Sequence, residues 1–62
     1  MPIIQINMWE GRSKEIKRTL IKAVSKATAD TLEIPVERVQ VIINNVSKDD
    51  WGIKGDQASE VK

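Results

Sequence analysis

The chain has 62 residues, enough for one domain and no more. It contains no Cys and no His, which excludes a disulfide framework, a thiol nucleophile, thiolate or imidazole metal sites and every His-dependent triad. A net charge of +1, with 40% hydrophobic and 31% charged residues, describes a globular chain without a global pull toward nucleic acid or membrane.

Residues Ile3–Met8 alternate, with Ile4, Ile6 and Met8 on one face and Ile3, Gln5 and Asn7 on the other, which predicts a first strand. In Glu10-Gly11-Arg12-Ser13, the glycine permits a turn and Ser13 can N-cap a helix. From Lys14 to about Leu32 the positions Ile16, Leu20, Ala23, Val24 and Ala27 follow a 3–4 spacing, the mark of an amphipathic helix with one face to bury. Ile34-Pro35 ends it, because a residue before proline is pushed out of the helical region. Val39–Val46 is β-branched and apolar on much of both faces, a second strand. Strand, helix and strand form one β-α-β unit with a right-handed crossover. The tail from Ser47 is polar, and Trp51-Gly52-Ile53-Lys54-Gly55 predicts a small hairpin or hook. The expected fold class is α/β: a single β-α-β protomer over residues 1–62 whose sheets combine between subunits.

Size supplies the reason for that last step. Folding a chain of 7.0 kDa leaves roughly 4,000 Å² exposed and buries roughly 6,100 Å². With about 60% of that apolar, burial gains about 90 kcal/mol, against about 93 kcal/mol for ordering the chain. Disulfide and His or Cys metal staples are absent, and no acidic loop has the spacing of an EF-hand. Partner subunits are the staple left. One helix also covers only one face of a two-stranded sheet, so the other face needs a neighbour.

Few residues carry chemistry. Lys14, Lys17, Arg18, Lys22 and Lys26 make a basic helix face, which reads as a solvated surface because charge balances overall and no aromatics interleave the cations. Asp49, Asp50 and Asp56 have no telling spacing and read as a solvated loop. Trp9 and Trp51 are the only aromatics; Trp9 reads as interface, and Trp51 as either packing or the wall of a pocket. Met1-Pro2 also admits two readings. Proline is tolerated at the first position of a strand. An initiator methionine ahead of a small residue is also normally removed, leaving a free secondary amine. An α-amino group titrates near 7.7–8.0, lower in an apolar pocket, so such a proline can serve as a neutral base in a chain without His.

With these pieces in order, the chain resembles the 4-oxalocrotonate tautomerase family, small enzymes acting through an amino-terminal proline. The resemblance rests on Met1-Pro2-Ile3 opening a strand, Glu10-Gly11-Arg12-Ser13 before the helix, Val39-Gln40-Val41-Ile42-Ile43 as second strand, and the Trp51–Gly55 hook. It implies a homohexamer, a trimer of dimers, that tautomerises a small carboxylate-bearing enol or 2-oxo acid without any cofactor or metal. It further implies Pro2 as the base, Arg12 as the ligand of a substrate carboxylate, Trp51 as the pocket aromatic, and Ile3 and Ile53 as lining. The family's second arginine, which the resemblance has gripping the substrate's other carboxylate from a neighbouring subunit, falls on Gln40, which donates a neutral hydrogen bond and cannot neutralise a carboxylate. Arg38 is two positions earlier, so strand periodicity puts it on the same face as Gln40 at about 7 Å, where it either substitutes in part or is simply exposed at the strand entrance. Lys54 replaces a hook glycine, which ordinary backbone angles would allow.

Two rival functions remain. A hydratase or dehalogenase of the same superfamily needs a water-activating carboxylate, and no obvious counterpart exists. A binding module would use the basic helix face. No apolar run approaches the ~18 residues of a membrane span, and the expectation is a cytoplasmic protein that engages neither membrane nor nucleic acid.

Overall fold

The computed structural model describes residues 1–61. Strand β1 is Ile3–Trp9, helix α1 is Lys14–Leu32 and strand β2 is Gln40–Val46. Two-residue strands β3, Gly52–Ile53, and β4, Asp56–Gln57, form the C-terminal hook. Short 3₁₀ turns at Val36–Arg38, Lys48–Asp50 and Ala58–Glu60 complete the chain.

The expected β-α-β protomer is what forms. β1 and β2 pair in parallel from Ile3 opposite Gln40 to Trp9 opposite Val46. Parallel strands cannot be joined by a tight turn, so the chain needs α1 as its crossover. The helix starts because the Ser13 side chain accepts the Ile16 N–H at 3.2 Å. It stops where Glu33 turns left-handed at φ 55° and the Ile34 N–H reaches the Ala29 carbonyl at 3.0 Å. Pro35 then prevents continuation.

Alternation sorts the sheet into two faces. Ile4, Ile6, Met8, Val41 and Ile43 are half-buried on the helix side. Ile3, Gln5, Asn7, Gln40, Ile42 and Asn44 are exposed on the other. There Asn44 Nδ2 donates to Asn7 Oδ1 at 3.0 Å, across directly paired positions. Trp9 and Val46 share this outward phase yet are half-buried.

The helix buries less of its apolar arc than its periodicity predicts. Leu20 and Val24 are half-buried, whereas Ile16 is 54% exposed and Ala23 and Ala27 are exposed. The physical reason is width: two strands about 4.8 Å apart cannot cover an apolar stripe of 100° or more. Among the described residues only Ala29 and Ala58 are fully buried. The protomer exposes 4952 Å², about 900 Å² more than expected for a self-sufficient chain of this mass. That excess is close to what one partner contributes to a standard interface, about 800 Å².

The hook corrects one expectation. Gly52 pairs with Gln57 and Ile53 with Asp56, leaving Lys54-Gly55 as a two-residue loop. Lys54 has φ 55° and Gly55 φ 84°. Two successive positive φ angles are those of a type I′ turn, whose twist suits a tight hairpin. Lys54 therefore does not have ordinary backbone angles, and a side chain in this region costs about 1 kcal/mol or more. Lys54→Gly should raise stability by about 1 kcal/mol, read from denaturant midpoints at fixed protein concentration. An unchanged or lower midpoint would contradict a strained turn.

Candidate active site

Pro2 stands at the mouth of the sheet. Its carbonyl accepts the Gln40 N–H at 3.1 Å, one bond before the regular ladder begins. Ile3 is the direct partner of Gln40, and both are exposed on the face away from the helix. The parallel register thus brings Pro2, Ile3 and Gln40 together within one protomer. Arg38 is different. It closes the 3₁₀ turn Val36–Arg38, with its N–H on the Pro35 carbonyl at 3.0 Å, and its side chain is exposed. The two-residue alternation that would align it with Gln40 does not reach it, because β2 begins at Gln40.

The other candidates gather at the far end of β1. Arg12 follows Trp9 by three residues, in a loop where Gly11 adopts φ 116°, and its side chain is exposed. Trp51 ends the 3₁₀ turn Lys48–Asp50 and packs edge-on against Trp9, with ring centroids 6.1 Å apart and planes at 78°. Its carbonyl accepts the Ala58 N–H at 2.7 Å, which folds the hook beneath it. Ile53 follows in β3 and is 38% exposed.

Six residue steps along β1, at about 3.3 Å each, put roughly 20 Å between the two ends. Neither Trp51 nor Arg12 meets Pro2 inside one protomer. The candidate site is therefore two half-sites: Pro2, Ile3 and Gln40 at one end, and Arg12, Trp51 and Ile53 at the other.

Electrostatics elsewhere are plain. Lys26 is raised above its ordinary value by its hydrogen bond to Asp30 at 2.7 Å and by the charge of that carboxylate. This is an exposed i,i+4 helix pair that includes no candidate site residue. Lys14, Arg18 and Lys22 are exposed, as are Asp49, Asp50 and Asp56. Among the described residues no group of three or more acidic side chains is placed to hold a metal ion. Sequence reasoning missed that Lys48 Nζ lies 4.6 Å from the centre of the Trp9 ring. It also missed that the two tryptophans meet, though their being the only aromatics of the chain was a usable signal.

A lone β-α-β unit with proline at the mouth of its ladder, and arginine and an aromatic hook at the foot, has the build of a small α/β isomerase. A family model described as "Tautomerase enzyme" matches residues 2–60. The chain is 48% identical over 62 residues to the 2-hydroxymuconate tautomerase of Pseudomonas sp. strain CF600, covering 100% of this chain and 98% of that one. A structure of the 4-oxalocrotonate tautomerase isozymes from Methylibium petroleiphilum superposes with a TM-score of 0.89 at 41% identity, covering 94% of each chain. The heterohexamer 4-oxalocrotonate tautomerase from Chloroflexus aurantiacus J-10-fl superposes with a TM-score of 0.93 at 35% identity, covering 100% of both chains. The chain belongs to the tautomerase family and is an isomerase of the 4-oxalocrotonate tautomerase type.

Proposed function

We propose that this tautomerase converts a small carboxylate-bearing enol to its keto form, without a cofactor, in a site assembled between neighbouring copies. Pro2, freed of Met1, is the base. Its secondary amine takes the enol hydroxyl proton, and the electrons of that O–H bond become the carbonyl as charge moves along the diene. The resulting prolinium N–H then returns a proton to carbon, which regenerates the neutral amine. Arg12 of a neighbouring copy binds the substrate carboxylate through charge-assisted hydrogen bonds and draws electron density toward that end. Trp51 of a neighbour keeps the site apolar, which holds the amine below its ordinary α-amino range and neutral near pH 7. Ile3 and Ile53 line the site.

The observation that carries this reading is the placement of Pro2 beside Gln40, with the carboxylate-binding and aromatic residues roughly 20 Å away. Assembly is supported by the exposed outer sheet face and by the excess exposed surface. The Chloroflexus relative is described as a heterohexamer, and a homohexamer, a trimer of dimers, is the proposed state here. A cytoplasmic location belongs to the same proposal; among the described residues no helix is long and apolar enough to cross a membrane.

Gln40 bears on the substrate. The curated relatives are named for 2-hydroxymuconate, a dicarboxylate. With Gln40 in place of the family's second arginine, the second carboxylate meets a neutral donor, and a monoacid enol is served as well. Gln40→Arg should raise kcat/KM for 2-hydroxymuconate about tenfold over a monoacid enol, the step from a neutral to a charge-assisted contact. An unchanged ratio would exclude Gln40 from the carboxylate site. For the mechanism itself, intact mass should show loss of one methionine, and Pro2→Ala should lower kcat at least about a hundredfold. Wild-type turnover in the processed Pro2→Ala protein would overturn proline catalysis.

A further inference from the structure

The contacts around Trp9 give it a role that its position at the end of a strand does not require. By alternation Trp9 belongs to the outward face with Ile3, Gln5 and Asn7, all exposed, yet it is half-buried. Two groups cover it. The Lys48 ammonium sits 4.6 Å from the ring centre, and Trp51 meets the ring edge-on at 6.1 Å and 78°. Both are geometries that an aromatic quadrupole favours.

The hook has little else to orient it. The hydrogen bonds of Trp51 run within the tail, from its N–H to the Lys48 carbonyl at 3.4 Å and from the Ala58 N–H to its carbonyl. Gln57 Nε2 likewise bonds the Asp49 carbonyl at 2.9 Å. Among the described residues no hydrogen bond ties 48–61 to either long strand or to the helix. Trp9 is a β1 side chain that meets the Trp51 ring directly, and so can set its angle to the sheet. Trp9 fills this place at a cost, since its Nε1–H is buried without an acceptor in the chain. An aliphatic side chain would cover the same strand end without that cost, so the ring itself is the useful part.

We propose that Trp9 is a positioning residue: clamped between Lys48 and Trp51, it fixes the orientation of the Trp51 ring and keeps that end of the site dry. The role rests on the reading of Trp51 as the pocket aromatic. Trp9 acts through Trp51, and through the apolar surroundings that Trp51 gives the Pro2 amine.

The test joins spectroscopy with pH-dependent kinetics on the processed, full-length protein. Trp9 and Trp51 are the only tryptophans, and no tyrosine or phenylalanine is present. The far-ultraviolet circular dichroism of the wild type should then show an exciton couplet, lost in Trp9→Phe. Trp9→Ala should lower kcat at least about tenfold through misplacement of Trp51, with a smaller change in KM. It should also move the rising limb of the pH profile of kcat/KM upward, because water admitted to the site lets the Pro2 amine return toward its ordinary range. Trp9→Phe, which keeps a π-face, should restore most of the rate and the position of the limb. Lys48→Met should give a smaller shift in the same direction. Should Trp9→Ala fail to assemble, Trp9→Leu, apolar but without a π-face, is expected to show the same rate loss and limb shift. A wild type without a couplet overturns the inference, as does a folded Trp9→Ala or Trp9→Leu protein with wild-type kcat and pH limb. Absence of turnover in the processed wild type overturns instead the reading of the site on which it rests.

Discussion

One parallel ladder of seven residue pairs organises this molecule. Because β1 and β2 run the same way, the chain must cross over between them, and the long helix is the price of that pairing. The ladder is extended by one backbone bond at each end: Gln40 to the Pro2 carbonyl, and Glu10 to the Val46 carbonyl at 3.0 Å. The first bond fixes where the proline sits. The second fixes the departure of the loop that carries Arg12. Strand rise then sets the distance between them, and no side chain in the protomer spans it.

The same ladder supports the proposal that this chain assembles with copies of itself. A two-stranded sheet offers its helix a narrow bed, so the helix spills apolar residues such as Ile16 onto its flank. Apart from its Trp9–Val46 end, where the tail lies against Trp9, the opposite sheet face is exposed, and it mixes Ile3 and Ile42 with the hydrogen-bonded pair Asn7 and Asn44. An interface built on that face would be apolar with a paired polar centre, the arrangement that favours one register over its alternatives. Stability and chemistry then share one remedy under the proposed function. The contacts that cover this surface also join the two half-sites.

Much of this was legible in the sequence, and what was not has local causes. Alternation from Ile3 to Met8, the Ser13 cap and the stop at Ile34-Pro35 are short-range signals, and they placed the three main elements within a residue or two. The resemblance carried by Met1-Pro2-Ile3 and the hook pointed to the family that the comparisons show. The roles of Pro2, Arg12, Gln40 and Trp51 remain proposals on that base. Of its two readings, Arg38 takes the exposed place at the strand entrance, because a 3₁₀ turn interrupts the period of two that strand logic extends backward. The left-handed angle at Lys54 was not legible because only the pairing of Ile53 with Asp56 reveals that its loop has two residues. The meeting of Trp9 and Trp51, 42 positions apart, is a tertiary contact that no local pattern encodes.

The shared site is tested most directly by subunit complementation. Pro2→Ala protein carries an intact Arg12–Trp51 half, and Arg12→Ala protein carries an intact Pro2 half. Each alone should have low kcat/KM for an acidic enol. When the two are unfolded together at equal amounts and refolded, random mixing should leave about a quarter of sites with both halves intact. Activity should then rise well above the mean of the two separate proteins, toward that fraction of the wild type. A mixture that forms hybrid oligomers yet shows only the mean of its parents would contradict a site built between copies.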